Sequence, residues 1–501
     1  MSDPSRQSAI LDALSGHAQC RPDAVAYRES SGRSLTWRDL RRAVTGFAAR
    51  LLAIDAAPVV AISSPNRLEL PVALLGALRA GAEILPLAPD LPVAQIADLL
   101  GRTHTSISIG GPEVLTAAAA AGCRKGIALD RLLAEAPETG EPPPAPGGAL
   151  LLTTSGTTGT PKIVRRRLAA LDAVATSCAR AIGVCADDRL LLTIPLHHSY
   201  GIDQGLLTAV FAGCTVELRD GFELSSVRAA LQDGVTVLPA VPFLFDVLVR
   251  SEGASTWPGR SLRLAISAGG PLPRSVFDEF LAVSGVAIGQ LYGATEFGSI
   301  TWSDPARAGF APQSVGTPLP GVQIRVLAED DTLAERPLPV GCEGRVAIAS
   351  PSLFAGYLDG STLHPGSFYR TADLGRFDAS GNLEITGRIS LLIDVGGRKV
   401  NPIEIEALLE AHPDVSAAVV VPIPYSRTVS RLKAFVVPSG RSEIRSSELR
   451  AYLEERVPSY KIPRVFEVRD ALPRSPTGKL LRRALTEERM YAAGRASSAD
   501  G

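Results

Sequence analysis

The chain has 501 residues, 46% of them hydrophobic, so it is long enough to form more than one folding unit with a buried core. Its 51 lysines and arginines nearly balance its 52 aspartates and glutamates, so no global field favours nucleic acid or an anionic membrane as a partner. The N-terminal residues lack the layout of a signal peptide and no apolar run is long enough to span a bilayer, so we expect a cytoplasmic protein.

Cysteine and histidine usage gives no sign of a disulfide framework or a metal centre. The six cysteines are scattered without a CxxC pair, and several lie among apolar residues, which predicts reduced core thiols. The six histidines show no metal-ligand spacing. Arg165, Arg166 and Arg167 form a local basic cluster, which we interpret as a solvated face.

The N-terminal part of the chain alternates helical and strand patterns. The predicted elements are helices over 8–20 and 36–53, a strand over 59–62, a helix over 69–81 and a strand over 83–87. Thr36 and Asp39 have the spacing of a helix N-cap and its acidic partner. This alternation is typical of a layered α/β domain with a mainly parallel sheet.

The alternation continues beyond a proline-rich connector at residues 137–148. The predicted elements are a helix over 168–182 and strands over 190–194, 216–218, 235–238 and 264–267. From about 313 to 386, short strands separated by Gly, Pro and Asp predict a β-rich sub-barrel; they include 323–327, 344–349 and 383–386.

A compact α+β pattern begins after Gly387 and Arg388. Its predicted elements are helices over 403–411 and 447–456 and strands over 417–421, 433–437 and 465–468. We therefore expect a large N-terminal α/β domain over residues 1–388 and a small, mobile C-terminal α+β domain over 389–491. The Ala-, Gly- and Ser-rich tail over 492–501 predicts disorder.

One stretch, Leu150–Lys162, has the composition of a phosphate-binding loop. A buried strand leads into Thr154, Ser155, Gly156, Thr157, Thr158, Gly159 and Lys162. Glycines let backbone N–H groups face a ligand, hydroxyls add donors and the lysine adds a positive charge. Pro161 and Ile163 occupy the positions of the second glycine and the magnesium hydroxyl of a Walker loop, which excludes that motif. The alternative is a polar surface loop between strands.

Later segments carry complementary chemistry. They are Pro195–Gly201, Ser267–Pro271, Tyr292–Glu296, Tyr369–Gly375 with Gly387–Arg388, and Leu472–Lys479. Gly269 and Gly270 allow the backbone to approach a flat ligand closely. A carboxylate such as Glu296 suits Mg²⁺, and one such as Asp373 can accept both hydroxyls of a ribose. Each segment alone has a plainer explanation: an ordinary loop, a turn aspartate or a solvated lysine.

In this order, the segments resemble the adenylate-forming superfamily, which includes acyl-CoA synthetases, aryl-acid ligases, luciferases and the adenylation domains of peptide synthetases. The resemblance covers essentially the whole chain. It implies ATP-dependent activation of a carboxylic acid to an acyl adenylate, with release of pyrophosphate, followed by transfer to a thiol. The implied cofactors are ATP, Mg²⁺ and CoA, or the phosphopantetheine of an acyl or peptidyl carrier protein.

The resemblance also implies roles for individual residues. Lys162 and its loop contact the polyphosphate, Tyr292 covers the base, Thr295 holds an oxyanion and Glu296 brings Mg²⁺. Further implied roles are His198 in the acyl pocket, Gly269 and Gly270 along the adenine and acyl pockets, Asp373 and Arg388 at the ribose or α-phosphate, Lys479 as the catalytic lysine, and Gly396 and Gly397 in the thiol-transfer step.

The sequence departs from the superfamily pattern at a few positions. Leu391 stands where a hinge Asp or Lys is usual, and Asp394 where a lysine often precedes the glycine pair. Both put the thioester half-reaction in doubt more than adenylation and leave room for a carrier protein. Leu291, where a glycine often precedes Tyr292, favours aryl or short acyl acids. Asp203 either faces the pocket or faces solvent.

Two further interpretations stay open. Within the enzymes, the protein is an acyl-CoA ligase or a ligase that loads a carrier protein. Outside the enzymes, it is an acyl-AMP- or ATP-binding module that has lost turnover. The presence of Lys162, Glu296, Asp373 and Lys479 argues against such a module.

Overall fold

The computed structural model describes residues 8–55, 58–129, 145, 147–154, 162–251, 257–328, 331, 336–358, 360, 362–364, 366–395, 398–424, 430–440, 444–474, 480–482 and 484–485. The chain divides into two compact units. The first contains residues up to 324 together with 348–369, and the second contains 325–347 together with the residues from 370 onward.

In the described part of the first unit, the strands form a sheet of nine and a sheet of six. The strands are β1 (Val25–Glu29), β2 (Ser34–Thr36), β3 (Val59–Ser63), β4 (Glu83–Leu87), β5 (Ile107–Ile109), β6 (Lys125–Ile127), β7 (Ala149–Thr154), β8 (Lys162–Arg167), β9 (Arg189–Leu192), β10 (Thr215–Leu218), β11 (Val237–Ala240), β12 (Leu264–Ser267), β13 (Ile288–Ala294), β14 (Gly298–Ser303) and β15 (Thr317–Pro318). The strand orders are β15-β14-β13-β12-β11-β9-β10-β1-β2 and β6-β5-β3-β4-β7-β8.

Helices cover both sheets. They are α1 (Ala9–Cys20), α2 (Trp37–Ile54), α3 (Glu69–Arg79), α4 (Val93–Arg102), α5 (Pro112–Ala120), α6 (Leu168–Ile182), α7 (Ser199–Ile202), α8 (Ala209–Ala212), α9 (Leu224–Gln232), α10 (Pro242–Ser251) and α11 (Arg274–Ser284), with a π-helical turn (Asp203–Thr208) between α7 and α8. Thr36 and Asp39 form the predicted capping box at the start of α2. Gly76 lets α3 pack tightly on α2, because a Cβ there would lie 2.7 Å from the Phe47 ring.

The nine-stranded sheet brings several predicted site segments to one edge. β9, β11, β12 and β13 are neighbours and run parallel. The carboxyl ends of parallel strands meet at the same edge, where ligands bind in open α/β sheets. The segments after β9, β12 and β13 therefore lie at this edge.

The second unit contains most of a four-stranded sheet and a separate α+β part. Its strands are β16 (Gln323–Leu327), β17 (Gly344–Ala349), β18 (Tyr369–Phe377), β19 (Leu383–Arg388), β20 (Ile393–Val395), β21 (Arg398–Val400), β22 (Val415–Pro424), β23 (Ser430–Pro438) and β24 (Val465–Val468); its helices are α12 (Pro402–Glu410) and α13 (Ser446–Glu454). The first four strands pair in chain order, β20 pairs with β21, and β22, β23 and β24 form a third sheet.

The predicted mixed α/β architecture is confirmed, with parallel strands through most of both large sheets. The region predicted as a β-rich sub-barrel contains the four strands β16–β19. The predicted boundary between 388 and 389 stays a prediction; Arg388 ends β19 and a 3-10 turn (Ile389–Leu391) follows. Among the described residues, none of the helices has the length and apolar character needed to cross a membrane.

Two expectations about individual side chains need correction or refinement. The three arginines do not form a solvated face, because Arg166 is fully buried; successive residues of β8 point to opposite sides, which turns its middle arginine inward. The six cysteines are free as predicted, although only Cys178 and Cys214 are buried.

Candidate active site

The predicted phosphate loop begins and ends at one point of the six-stranded sheet. β7 and β8 are antiparallel, and Thr154 at the end of β7 pairs with Lys162 at the start of β8. Ser155, Gly156, Thr157, Thr158 and Gly159 lie between these ends and outside the described residues. Both ends of the loop are therefore fixed on adjacent strands.

Glu296 lies in the tight turn between β13 and β14. Gly293 and Gly298 pack closely in this hairpin, since a Cβ on Gly293 would lie 2.5 Å from the Gly298 carbonyl oxygen. Tyr292 and Thr295 are partly buried on either side of the turn, and the Tyr292 ring lies 5.8 Å from the Phe297 ring. The hairpin thus presents the predicted base-covering, hydroxyl and carboxylate groups together.

Tyr357 joins Lys162 to Glu296. The Lys162 Nζ lies 4.8 Å from the centroid of the Tyr357 ring, and the Tyr357 hydroxyl donates to Glu296 Oε1 at 2.9 Å. That hydroxyl also lies 3.2 Å from the hydroxyl of Tyr369. Burial raises the pKa of Tyr357, and the bond to Tyr369 and the charge of Glu296 raise it further, so the hydroxyl stays a donor.

Tyr357 was not among the residues predicted from the sequence. It lies 61 residues from Glu296, so no local motif links the two. The only sequence signal is an aromatic residue after Gly356 in a segment of short strands, and that signal is too common to be specific.

The predicted acyl-pocket motif follows β9 at the carboxyl edge of the nine-stranded sheet. His198 is exposed and its ring lies 4.4 Å from the ring of His197. Burial lowers the pKa of His197 to about 3, and His198 lowers it further, so His197 is neutral near pH 7. The Tyr200 hydroxyl donates to the Ile266 carbonyl of β12 at 3.0 Å, which ties the motif to the segment before Gly269.

Asp203 faces the protein interior, so the solvent-facing alternative is wrong. Its side chain is 2% exposed and forms an ion pair with the fully buried Arg166, with Nη1 and Oδ1 3.0 Å apart. The same Nη1 donates to Ser199 Oγ at 3.1 Å. Burial raises the pKa of the Asp203 carboxyl, and Arg166 opposes the shift. A buried ion pair therefore contacts Ser199 of the predicted acyl-pocket motif.

Gly269 and Gly270 follow β12 and are exposed. Gly269 has a φ of +85°, which favours glycine, and it lies two residues beyond the end of β12. This open backbone suits the close approach of a flat ligand.

The second unit brings together two more predicted residues. Asp373 of β18 pairs in register with Arg388 of β19, and Arg388 Nε lies 3.4 Å from Asp373 Oδ1. Asp373 is 14% exposed at its side chain, and its backbone N–H donates to Thr371 Oγ1. Gly396, Gly397 and Lys479 lie outside the described residues.

Family models match most of the chain. The model of the AMP-binding enzyme family covers residues 14–358, and the model of the C-terminal domain of AMP-binding enzymes covers 404–479. The chain belongs to the AMP-binding enzyme family. The predicted superfamily and enzyme class are thereby confirmed: the protein is an AMP-forming acid–thiol ligase.

Individual relatives align with nearly the whole chain. The chain is 29% identical to a feruloyl-CoA synthase of Amycolatopsis over 93% of this chain and 96% of the relative. It is 30% identical to the fatty acid–[acyl-carrier-protein] ligase ScoC of Streptomyces coeruleorubidus over 95% and 96%. The solved O-succinylbenzoate CoA synthetase of Bacillus subtilis with ATP and magnesium is similar at a TM-score of 0.81, with 27% identity over 95% of this chain and 99% of that one.

Proposed function

We propose that the protein converts a small carboxylic acid and ATP into an acyl adenylate and pyrophosphate, and then transfers the acyl group to the thiol of CoA. The observation that carries this proposal is the Lys162–Tyr357–Glu296 contact, which links the end of the phosphate loop to the hairpin carboxylate. A cation and a carboxylate held together in this way suit a metal-bound polyphosphate.

In the first half-reaction, a carboxylate oxygen of the acid attacks the α-phosphorus, and the bond to the β-phosphate oxygen breaks to release pyrophosphate. Lys162 and the loop donors neutralise the leaving group. Lys479 holds the acid carboxylate and the α-phosphate as negative charge develops. Catalysis of this kind is chiefly positioning and electrostatic stabilisation.

The residues around Glu296 fit a magnesium ion that arrives with ATP. Among the described residues, no three His, Cys, Asp or Glu side chains lie close enough together to hold a metal ion. Mg²⁺ usually takes one or two carboxylates together with phosphate oxygens, and Glu296 offers one partly buried carboxylate. When bound, the ion would neutralise phosphate charge, and Glu296 would hold it.

Other residues hold the nucleotide. Tyr292 covers the adenine, and Gly269 lets the backbone approach the adenine ring closely. Asp373 accepts hydrogen bonds from the ribose hydroxyls, and Arg388 donates to the ribose or the α-phosphate. The 3.4 Å contact between Asp373 and Arg388 supports a shared task, because an arginine beside a carboxylate orients that carboxylate.

In the second half-reaction, the thiol sulfur attacks the acyl carbon, AMP leaves with the bonding electron pair, and the thiol proton passes to solvent. CoA is favoured as the acceptor because the feruloyl-CoA synthase aligns over nearly its full length. A carrier protein is the second candidate, supported by the similar coverage of ScoC and by Asp394 of β20, which shortly precedes Gly396 and Gly397 of the proposed thiol-transfer segment.

We further propose that the acid is an aryl or short acyl acid. Leu291 is 4% exposed on β13, immediately before Tyr292, and occupies volume at this edge. Arg166 donates to Ser199 Oγ at 3.1 Å, so an acyl chain that extended past Ser199 would meet the buried Arg166–Asp203 ion pair instead of an apolar lining. Both features shorten the pocket.

A pyrophosphate-exchange assay over a panel of aryl, short and long carboxylic acids tests the proposal. We expect exchange with at least one aryl or short acid, and transfer of its adenylate to CoA in preference to a pantetheinylated carrier. The absence of exchange with every acid would favour a binding module without turnover, and a clear preference for long chains would contradict the proposed acid class. Leu291→Ala should extend the accepted length, whereas Leu238→Ala, at a buried position of β11 two strands away, serves as the packing control.

A further inference from the structure

The backbone of Tyr357 is held against the strand that begins with Lys162. Tyr357 forms an antiparallel bridge with Val164, and the Leu358 N–H donates to the Ile163 carbonyl at 3.0 Å. Two further backbone bonds join Arg165 to Ala355 and Gly356 at 2.8 and 3.1 Å. Tyr357 thus occupies a fixed position beside the end of the phosphate loop.

The same segment is attached to the hairpin that carries Glu296. The Phe354 N–H donates to the Glu296 carbonyl at 2.8 Å, and Ser352 Oγ donates to the Phe297 carbonyl at 2.8 Å. The Phe354 ring packs edge-on against the rings of Tyr357 and Tyr369, at 4.9 and 5.2 Å. Residues 352–357 therefore connect the six-stranded sheet to the nine-stranded sheet next to Lys162 and Glu296. The packing of the Phe354 ring restricts the orientation of the Tyr357 ring.

The Tyr357 side chain makes two separable contacts. Its ring face receives the Lys162 ammonium at 4.8 Å, within the range of a cation–π interaction. Its hydroxyl donates to one oxygen of Glu296, and among the described residues no donor pairs with the other oxygen. One oxygen is thereby occupied and the carboxylate is oriented, while the second oxygen stays available to a cation.

We propose that Tyr357 is a positioning residue for adenylation: its hydroxyl orients Glu296 toward the divalent cation of the nucleotide, and its ring holds Lys162 at the end of the phosphate loop. This inference rests on the proposed function and adds a residue to which the superfamily resemblance assigned no role. Hydrogen bonds that orient a metal-ligating side chain commonly influence the affinity of the site for the metal.

The two contacts can be tested separately by isothermal titration calorimetry of the full-length protein with ATP, with and without Mg²⁺. Tyr357→Phe removes the hydroxyl and keeps the ring. It should bind metal-free ATP like the wild type but lose about tenfold of the additional affinity that Mg²⁺ confers, as expected for a hydrogen bond to a charged group. The Mg²⁺ concentration for half-maximal pyrophosphate exchange should rise by a similar factor. Tyr357→Leu removes the ring as well and should also weaken metal-free ATP binding.

Tyr369→Phe is the matched control, because it deletes the other hydroxyl of the 3.2 Å contact and leaves the bonds to Glu296 and Lys162 in place. It should change the Mg²⁺ dependence by less than about twofold. Equal losses in Tyr369→Phe and Tyr357→Phe, or an unchanged Mg²⁺ dependence in Tyr357→Phe, would overturn the inference. If the wild type itself failed to bind ATP, the proposed function would fail first, so the two failures are distinguishable.

Discussion

The loop between β7 and β8 ends at Lys162, a predicted phosphate-binding residue, and the loop before Leu480 contains Lys479, the predicted catalytic lysine. The described residues that flank the two loops are held in different ways. In the first unit, Tyr357 contacts both Lys162 and Glu296, so the residues that fix the loop end belong to the candidate site. In the second unit, Arg474 and Leu480 form a β-bridge at the loop base, and Arg482 forms a bidentate ion pair with Glu406.

Because of this difference, we expect substitutions at the first loop to affect ligand binding and substitutions near the second loop to affect folding. In the first unit, Lys162 is exposed and Glu296 and Tyr357 are only partly buried, so loss of the tyrosine contacts should alter ligand binding more than folding. Glu406 is 9% exposed at its side chain and also accepts the Val420 N–H at 2.7 Å, so its ion pair is part of the interior of the second unit. Loss of that pair should alter folding more than chemistry.

The largest expected effect is therefore on the stability of the second unit. Arg482→Met leaves the Glu406 charge buried without its partner and should cost ~3 kcal/mol of the free energy of unfolding. That figure is the lower end of the range for buried pairs, because 23% of the Arg482 side chain is exposed. Urea unfolding followed by circular dichroism would measure it.

Two variants sharpen this test. Arg482→Met combined with Glu406→Leu removes both charges and should recover most of the lost stability, since paired replacement by apolar residues is often neutral. Arg376→Met breaks a partly exposed pair with Glu384 in the same unit and should cost less than about 1 kcal/mol. If Arg482→Met unfolded at the same urea concentration as the wild type, the Arg482–Glu406 ion pair would not stabilise the second unit, and the expected difference between the two units would be wrong.

The next effect concerns chemistry without folding. Lys479→Ala should slow pyrophosphate exchange by ~10²–10³-fold, because a preorganised charge at the reacting groups stabilises the transition state. Transfer from a preformed acyl adenylate to the thiol should change little, since the lysine acts in the first half-reaction. Lys461→Ala removes another lysine of the second unit, paired with Glu404 at 2.7 Å, and should keep the exchange rate within about twofold. A comparable loss in both variants would point to unfolding instead of catalysis.

Elements with strong local signals were predicted well. The helix over 168–182 and the strands over 264–267 and 465–468 have the predicted bounds, and the capping box at Thr36 is present. The strand predicted over 235–238 runs instead over Val237–Ala240, because its pairing with β12 from Val237 to Ala240 sets its register. Propensity and periodicity therefore identify elements, whereas strand pairing decides their ends.

Charge pairs and the linking tyrosine were beyond local reasoning. Arg166 stands between two other arginines, and only its place on β8 and its partner Asp203, 37 residues away, make it an interior residue. The superfamily resemblance predicted only that Asp373 and Arg388 both act at the ribose or α-phosphate. The structure adds that they are paired in register on β18 and β19. Local sequence patterns therefore identified the residue types of the site, while contacts between distant segments determine which side chains meet.

The smallest of the three effects is a pH dependence confined to the second unit. Glu410 ends α12 near the Arg482–Glu406 pair, and its side chain accepts the Ala418 N–H at 3.1 Å. Burial raises its pKa from 4.5 to about 7; Glu406 adds to the rise, whereas the bond from Ala418 and the charges of Arg474 and Arg482 oppose it.

Because this pKa is higher in the folded state, the folded protein binds the proton more tightly than the unfolded chain does. The resulting stability is fully present below pH 4.5 and is lost as the pH rises through about 7. Relative to Glu410→Gln, the wild type should therefore lose on the order of 2 kcal/mol of unfolding free energy between about pH 5 and pH 8. Urea unfolding of both proteins across that range would measure the difference. A difference in unfolding free energy that stayed constant with pH would show that Glu410 does not titrate in this range. A difference that grew in favour of the wild type with rising pH would have the opposite sign and would show that the charged form of Glu410 stabilises the second unit.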